Sequence, residues 1–464
     1  MKFTKNIILN SDSYKYSQWP QYPAGTEYVY SYIESRGGLY DKVVFFGLQA
    51  FIKEYLTEPV TMLDIDIAEK IIKTHGEPFN RAGWEYIVKT HKGKLPVEIK
   101  AVDEGTILPT KNVLVSIMNT DPQCYWLTSF LETALLRAIW YPTTVASNSY
   151  HSKRIINKYL EETGDPSLIS FKLHDFGARG VSSQESAELG AMAHLINFMG
   201  TDTVAGLIGA MKYYNTDEIV GFSIPAMEHS TVTSWGKEHE VDSFRNMLNL
   251  YAKPGSLVAC VSDSYDIYEA CKKWGTELKQ QVIDIGATIV IRPDSGEPAS
   301  VVVKCLHILD TYFGSVINSK GYKVLNNVRI IQGDGIDHAS IQSILFSAQV
   351  AGFSADNIAF GQGGALLQQV NRDTLKFAMK CSAARINGKW VDVFKDPITD
   401  SVKKSKKGRL RLVQTQAGEF ETVNLHQANP DEDLLTTRFI NGESINETTF
   451  ERVRAIASQE PLSL

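Results

Sequence analysis

Apolar runs that end in glycine and aspartate recur through the middle of this chain. Three lie close together: TIVIRPDSG at 288–296, VRIIQGDG at 328–335 and NIAFGQGG at 357–364. Each is rich in Val and Ile, as is typical of a strand buried on both faces, and each is followed by a helical pattern such as that of 337–350. This repetition predicts a parallel sheet or a β/α barrel, in which the loops after the strands gather at one end.

The same alternation begins further upstream. Strand-like runs at 168–173, 221–224 and 257–261 alternate with helical segments, which lie at 185–198, 241–250 and 265–274. We therefore predict an α/β fold in which residues 165–380 form an irregular β/α barrel that carries the active site. The flanks mix short strands and helices, so we expect 1–164 to form an N-terminal α+β segment. The segment 381–464 is expected to pack with it as a second, noncontiguous α+β domain.

The loops after the strands indicate the kind of ligand. Glycine lets backbone N–H groups approach an anion closely, and a following helix offers its positive N-terminal end. Asp294 and Asp334 suit sugar hydroxyls, or a Mg²⁺ ion that bridges phosphates, and Arg292 suits a phosphate. In a single loop, Gly and Asp more often only end a strand and begin a helix. Three such loops in series, one with an arginine, favour a site for a phosphorylated sugar.

Composition excludes several classes of protein. The 464 residues carry a formal charge of −6, which argues against a general nucleic-acid or membrane-surface binder. We find no apolar run near the about 18 residues that span a bilayer, and expect no signal peptide at the N-terminus. The five cysteines are widely spaced and include no CxxC pair, so they predict free thiols in a reducing compartment, the cytoplasm.

Other polar segments follow predicted strands. SIPAMEHSTVTSWG at 223–236 presents Glu228 and His229, where the glutamate could orient a nucleophilic or acid–base histidine, although an isolated histidine is more often structural. HDFGARGVSS at 174–183 places an aromatic ring three residues before an arginine, which suits stacking on a planar ring beside a phosphate. KKSKKGRLR at 403–411 is either a solvated surface loop or a basic strip at a phosphate site.

Together, ten ordered motifs that cover nearly the whole chain resemble the nicotinamide phosphoribosyltransferases of the type II phosphoribosyltransferase family. The motifs are DSYK, YSYIESRG, HDFGARGVSSQE, GTDTVAG, IPAMEHSTVTSWGKEHE, VSDSYDIY, IRPDSGEP, IQGDGID, FGQGG, and VFKDP with SKKGRL. The resemblance implies an enzyme that joins nicotinamide to 5-phosphoribosyl 1-diphosphate, forming nicotinamide mononucleotide and diphosphate. It also implies Mg²⁺, stimulation by ATP through a phosphorylated histidine, and a homodimer whose active sites are shared between subunits.

The resemblance also implies roles for individual residues. His229 matches the phosphorylated histidine. Phe176 would stack on one face of the nicotinamide ring and Tyr14 of the partner subunit on the other, while Asp202 would accept a hydrogen bond from the carboxamide. Arg179 would bind near the ring.

For the phosphosugar, the resemblance implies that Asp294, Gly333 and Asp334 contact the ribose and that Arg292 holds the diphosphate. Asp263 would lie close to the diphosphate and Mg²⁺; with His229 and Asp294 it forms the implied catalytic set. The 5′-phosphate and the surrounding positive charge, partly from the second subunit, would involve Gly363, Gly364, Arg36, Arg372, Lys380 and Lys395.

The sequence departs from the vertebrate pattern at four positions, which bear on fine specificity: Ala178, Met227, Gln362 and Ala378. Two alternatives stay open. A nicotinate phosphoribosyltransferase would share the barrel, but Asp202 would repel the nicotinate carboxylate. A catalytically silent dimeric binding protein would have no physical need for His229, Asp294 and Asp334.

Overall fold

The computed structural model describes residues 5–395 and 405–462. The chain forms two compact units. The first comprises Met1–Ser147, Ala210–Asp217 and Asn371–Gln459, and the second comprises Asn148–Gly209, Glu218–Val370 and Glu460–Leu464. Among the described residues no helix is long and apolar enough to cross a membrane.

The second unit is built on a parallel sheet of six strands, which we call the parallel sheet. Its spatial order is Gly200–Thr201, Leu173–Asp175, Ile358–Gln362, Val328–Gln332, Thr288–Arg292 and Leu257–Val261. Single bridges join Gly200 to Phe222 at one edge and Ala226 to Ala259 at the other. The short segment between Phe222 and Ala226 therefore closes the curled sheet, and the predicted irregular barrel is confirmed.

The second unit has two apolar regions, one between the parallel sheet and the helices around it and one inside the barrel. The outer layer holds large buried rings such as Phe244 and Trp274, which stack at 4.8 Å. Inside the barrel, Ala259, Val290 and Ile331 form a small apolar cluster. The described helices of this unit include the second half of Glu132–Thr163, Gln184–Leu195, His229–Thr233, Glu240–Tyr251, Ile267–Lys273, Lys279–Ile285, Pro298–Phe313, His338–Val350 and Gly364–Leu367, with Val204–Tyr213 leading into the first unit.

The strand predicted at 168–173 is wrong. Pro166–Phe171 is a 3₁₀ helix whose first turn is capped by Asp165, and the strand begins at Leu173. Lys172, between the two, is buried and donates to the carbonyls of Ala355, Asp356 and Ile358 at 3.2, 2.9 and 3.1 Å. Burial lowers its pKa to about 7. Lys172 thus joins the amino ends of the neighbouring strands Leu173–Asp175 and Ile358–Gln362 through internal hydrogen bonds.

The first unit contains an antiparallel sheet of seven strands. In spatial order these are Lys389–Asp392, Phe377–Ile386, Thr26–Ser35, Val113–Asn119, Val97–Ala101, Thr436–Ile440 and Glu443–Ser444. Two further antiparallel pairs join Lys42–Val44 to Ile107–Pro109 and Leu410–Gln414 to Phe420–Asn424. Helices of this unit include Leu48–Phe51, Met62–His75, Arg81–His91, Leu127–Phe130, Phe450–Ala457 and the first half of Glu132–Thr163.

Strands from both ends of the chain therefore share one sheet. The 210–217 segment belongs to the same unit because the Tyr214 hydroxyl donates to the buried Glu104 carboxylate at 2.6 Å, while burial raises the pKa of Glu104. The Gln49 side chain also donates to the Tyr213 carbonyl at 2.7 Å.

Candidate active site

The carboxyl ends of the parallel strands gather most of the predicted site residues at one face. Because all six strands run in the same direction, the residues that follow them emerge on the same side. These residues are Phe176, Asp202, Asp263, Asp294, Gly333, Asp334, Gly363 and Gly364, with Arg292 as the last residue of its strand. His229 begins the helix His229–Thr233 just after the closing segment.

Asp263 connects two of these loops. Its side chain is only 4% exposed, and Oδ1 accepts from Nε2 of His229 at 3.0 Å. Its other oxygen, Oδ2, accepts from the backbone N–H of Asp294 at 3.0 Å and from Oγ of Ser295 at 2.7 Å. One carboxylate therefore orients the histidine ring and fixes the loop that carries Asp294.

Glu228 does not orient the histidine, contrary to the prediction. It is the N-cap residue of the short helix, is exposed, and its carboxylate accepts from the Ser230 hydroxyl. Asp263 occupies the orienting position instead. Sequence reasoning placed a carboxylate beside His229 by proximity along the chain, whereas the fold supplies it from the next strand.

Arg292 has a donor available for an anion. Nη2 lies 3.2 Å from Oδ2 of Asp294, but the buried Nε has no hydrogen-bond partner among the described residues. A buried N–H without a partner is costly, and such groups are expected where a ligand completes the site.

The Phe176 ring depends on a glycine that sequence reasoning missed. A Cβ added at Gly361 would lie 2.0 Å from the ring, and one at Gly333 would lie 3.3 Å from it. The Phe176 N–H donates to the Gln362 carbonyl at 2.9 Å, which fixes the backbone beside that strand. Glycine inside a strand is the signal that could have identified Gly361, because it often marks a close approach.

Asp202 is exposed and held by two neighbours. Oδ1 accepts from the Ser223 hydroxyl at 2.6 Å, and its N–H donates to the Asp175 carbonyl at 2.9 Å. Ser223 lies in the closing segment, so barrel closure itself places this hydroxyl at the site. Neither Ser223 nor Asp175 was predicted as a site residue.

The glycine loop after Ile358–Gln362 is open. Gly363 caps the short helix Gly364–Leu367, and a Cβ added at Gly364 would meet no atom within 4 Å. Arg179 is exposed on the 3₁₀ turn Ala178–Gly180, which follows the Phe176 loop.

Within the first unit, three of the predicted cations lie together. Burial lowers the pKa of Lys380, and the charges of Arg36 and Arg372 lower it further, as does that of Lys15, which sequence reasoning missed. Lys15 pairs with Glu132. The Nε of Arg36 pairs with Glu34 at 3.1 Å, while its buried Nη2 has no partner among the described residues. This basic cluster therefore has a spare donor at Arg36.

The other predicted residues of the first unit are more exposed. Tyr14 is 55% exposed on the 3₁₀ helix Ser13–Ser17. Lys395 is exposed and pairs through its backbone with Ser405, next to residues 396–404, which lie outside the described part of the chain. Lys403 and Lys404 of the basic run lie there too. Lys406 pairs with Glu34, so this part of the run is anchored to the sheet.

The four departures from the vertebrate pattern lie in different settings. Ala178 is exposed in its turn, and Ala378 pairs with Glu34 in the antiparallel sheet. Met227 donates its N–H to the Ala259 carbonyl at 2.9 Å and so belongs to the barrel closure. Gln362 is buried at a strand end, with Oε1 lacking a partner among the described residues.

The solved structures with the same architecture define the fold class. A nicotinate-nucleotide pyrophosphorylase from Pyrococcus furiosus aligns with a TM-score of 0.63 at 16% identity, over 99% of this chain and 97% of that one. Human nicotinic acid phosphoribosyltransferase aligns with a TM-score of 0.56 at 15% identity, over 97% and 93%. The fold is that of the type II phosphoribosyltransferases.

Sequence comparison identifies the family. Residues 171–443 match the nicotinate phosphoribosyltransferase (NAPRTase) family, and residues 6–99 match a nicotinamide phosphoribosyltransferase N-terminal domain. A nicotinamide phosphoribosyltransferase from Xanthomonas campestris pv. campestris is 54% identical over 98% of this chain and 99% of its own length. One from Acinetobacter baylyi is 32% identical over 99% and 98%. The chain belongs to the NAPRTase family.

The contact between Phe176 and Gly361 can be tested directly. Gly361→Ala should displace the ring, because the added Cβ would lie 2.0 Å from it, and should reduce kcat/KM for the pyridine substrate by about 100-fold. Steady-state kinetics measures this, with circular dichroism to verify folding. Gly333→Ala, whose Cβ would lie 3.3 Å from the ring, should show a smaller decrease in kcat/KM. Equal activity of Gly361→Ala and wild type would contradict the assigned packing.

Proposed function

We propose that this chain is a nicotinamide phosphoribosyltransferase of NAD biosynthesis. It would join nicotinamide to 5-phosphoribosyl 1-diphosphate and release diphosphate. The observation that carries the proposal is the set of polar residues at the strand ends, centred on Asp263, in a chain 54% identical to a relative with that name.

The phosphosugar half of the site would lie at the strand ends of the barrel. Asp294 and Asp334 would accept hydrogen bonds from the ribose hydroxyls, beside Gly333. The unpartnered Nε of Arg292 supports a role in binding the diphosphate. The open loop at Gly363 and Gly364 leaves room for the 5′-phosphate against backbone N–H groups.

Positive charge for the phosphates would come from a set of lysines and arginines, in part those of the partner subunit in a homodimer. The basic cluster supports this role, because its cations lie close together and Arg36 retains an unpaired donor. Grouped cations repel one another unless an anion binds between them. The residues concerned are Arg36, Arg372, Lys380 and Lys395.

The base half would be built around Phe176. Its ring would stack on one face of nicotinamide, and Tyr14 of the partner subunit would cover the other. Asp202 would accept from the carboxamide NH₂, with Arg179 near the ring. The exposure of Tyr14 supports this arrangement, because an aromatic side chain that is 55% exposed is available to a partner subunit.

The chemistry requires one bond to form and one to break. The pyridine nitrogen attacks C1 of the ribose as the C1–O bond to diphosphate breaks, and the bonding electrons leave with the diphosphate. Positive charge develops on the ribose, where the Asp294 carboxylate would stabilise it, and negative charge on the leaving group, where Arg292 would. Preorganised charge is therefore the main contribution of the protein.

Mg²⁺ fits this donor set. Among the described residues no group of three or more His, Cys, Asp or Glu side chains could hold a metal alone. Asp263 and Asp294 offer two carboxylates, and Mg²⁺ is commonly bound by one or two carboxylates together with substrate phosphates and water. When bound, the ion would neutralise charge on the diphosphate.

ATP would act through His229. The contact between Asp263 and Nε2 would orient the imidazole and leave the other ring nitrogen to accept a phosphoryl group. Because Asp263 also binds the Asp294 loop, phosphorylation of the histidine would alter the position of the loop that contacts the sugar. This connection would couple ATP cleavage to substrate binding.

A homodimer is supported by exposed apolar side chains. On the helix Val204–Tyr213, Val204 and Ile208 lie four residues apart and are 64% and 58% exposed. Phe171 and Phe222 are each 45% exposed, and the centroids of their rings lie 6.2 Å apart. Contiguous exposed apolar surface is typical of an interface. We further propose a cytoplasmic location, because all five cysteines are free.

Nicotinate is the competing substrate, since the family and a structural neighbour carry that name. Purified enzyme with 5-phosphoribosyl 1-diphosphate should form nucleotide from nicotinamide and far less from nicotinate. Asp202→Asn removes the charge but keeps an acceptor, so its preference for nicotinamide should fall by about tenfold or more. Chromatography of the nucleotide products measures the ratio of the two products for the wild type and for the mutant. Wild-type preference for nicotinate would refute the proposed substrate, and an unchanged ratio in the mutant would exclude Asp202 as the selector.

Labelled ATP should transfer phosphate to His229. The bound label should be lost in acid and stable in base, as expected for a phosphohistidine. His229→Ala should abolish both the label and the ATP stimulation. His239→Ala is the matched control, because His239 also contacts a carboxylate, that of Asp242 at 2.9 Å. Label that persists without His229, or disappears without His239, would contradict the assignment.

Shared sites predict complementation between subunits. In a two-fold dimer that combines Tyr14→Ala and Asp202→Ala chains, one site has both residues intact and the other has both defects. Random assembly makes half of the dimers mixed, so co-expression should restore about a quarter of wild-type activity. Activity of the purified mixture measures this. Demonstrated exchange of subunits without recovery would show that Tyr14 serves its own chain.

A further inference from the structure

Asp175 is a fully buried carboxyl group beside the proposed base-binding residues. It ends the strand Leu173–Asp175 and has no measurable exposure. Burial raises its pKa. Within the described part of the chain it forms no ion pair with lysine or arginine. A buried carboxyl group without a cation is costly, and such a group persists where its hydrogen bonds are needed.

The hydrogen bonds of Asp175 join two neighbouring strand ends. Oδ1 accepts from the Gly177 N–H at 2.7 Å, and Oδ2 accepts from the Thr201 hydroxyl at 3.2 Å. Its backbone carbonyl accepts from the Asp202 N–H at 2.9 Å. The Thr201 hydroxyl in turn accepts from the Thr203 N–H at 2.9 Å. One residue therefore fixes the backbone on either side of Phe176 and of Asp202.

The side chains of these two residues have further restraints. The Phe176 ring lies against Gly361, and the Asp202 carboxylate accepts from Ser223. These contacts set the side chains. Asp175 holds the backbone that follows Phe176 through Gly177 and the backbone of Asp202, while the Gln362 carbonyl holds the Phe176 N–H. Asp175 therefore links the strand end that carries the ring expected to stack on the base to the strand end that carries the acceptor expected to bind its amide.

We propose that Asp175 is a positioning residue for the base, acting through Phe176 and Asp202. The inference rests on the proposed function and names the residue that holds its base-binding half together. It concerns the base alone, because the hydrogen bonds of Asp175 to Gly177, Thr201 and Asp202 reach neither the Asp263 loop nor Asp294. A small displacement of a substrate-positioning group is expected to have a large kinetic effect.

A general structural role makes a different prediction. If Asp175 only stabilised the barrel, its loss would lower the melting temperature and the amount of active enzyme, and would affect both substrates equally. A positioning role instead raises KM for the base while KM for 5-phosphoribosyl 1-diphosphate stays nearly constant.

The test compares Asp175→Ala with Asp175→Asn in steady-state kinetics. Asp175→Ala removes both side-chain acceptors and should raise KM for nicotinamide by about tenfold or more, with KM for the phosphosugar changed less than about twofold. Asp175→Asn keeps an oxygen for Gly177 and can donate to Thr201, so it should restore KM to within about threefold of wild type. Thr201→Val removes one of the two hydrogen bonds to the Asp175 side chain and should raise KM for nicotinamide by a smaller factor. This variant replaces Asp175→Ala in the test if Asp175→Ala does not fold.

Asn357→Ala is the matched control for destabilisation. Asn357 is also fully buried in the second unit, where its side chain accepts from Leu325 and donates to Lys323 and Ser354 just before the strand Ile358–Gln362. It should lower the melting temperature without a selective rise in KM for the base. Equal changes in both KM values for Asp175→Ala, or for Thr201→Val in its place, would overturn the proposal. If the wild-type enzyme uses nicotinate, only the proposed substrate is refuted. The KM for nicotinate would then be compared with the KM for the phosphosugar in the same variants.

Discussion

The parallel direction of six strands is the constraint on which the rest of this structure depends. It makes every loop after a strand emerge on one face, although the loops come from distant parts of the sequence. At the amino ends, Lys172 joins two neighbouring strands through internal hydrogen bonds, whereas the polar candidate residues lie at the carboxyl ends. Asp263 then converts neighbouring loops into one connected site, since its two oxygens bind His229 on one side and the Asp294 loop on the other.

The same face carries features that are costly for stability. Arg292 Nε, Gln332 Oε1 and Gln362 Oε1 are buried at strand ends without partners among the described residues. Each such group costs about 1–3 kcal/mol. The close approach of Phe176 to Gly361 adds a position where only glycine fits. These costs are concentrated where a charged, planar substrate would bind, which is the pattern expected of a site organised for its ligand.

The barrel was predictable because its strands are continuous apolar runs that end in glycine and aspartate. Thr288–Arg292, Val328–Gln332 and Ile358–Gln362 lie within the segments that the pattern indicated. The strand predicted at 168–173 was wrong because Pro166 and the Asp165 cap begin a 3₁₀ turn whose apolar residues resemble a strand. A short apolar run does not distinguish the two.

The motifs supply the candidate site residues, whereas the contacts between those residues depend on the tertiary structure. Glu228 adjoins His229 in sequence, yet Asp263 contacts the ring, because spatial neighbours come from adjacent strands. Ser223 and Asp175 act through hydrogen bonds between neighbouring strand ends, which periodicity does not encode.

The central claim is that the carboxyl face of the barrel is where nicotinamide and the phosphosugar meet. A crystal structure of the enzyme with nicotinamide mononucleotide and diphosphate tests it most directly. The account predicts the pyridine ring against Phe176, its carboxamide at Asp202, the ribose hydroxyls at Asp294 and Asp334, and the 5′-phosphate at the Gly363 loop. A nucleotide bound away from these strand ends, or with its pyridine remote from Phe176 and Asp202, would contradict it.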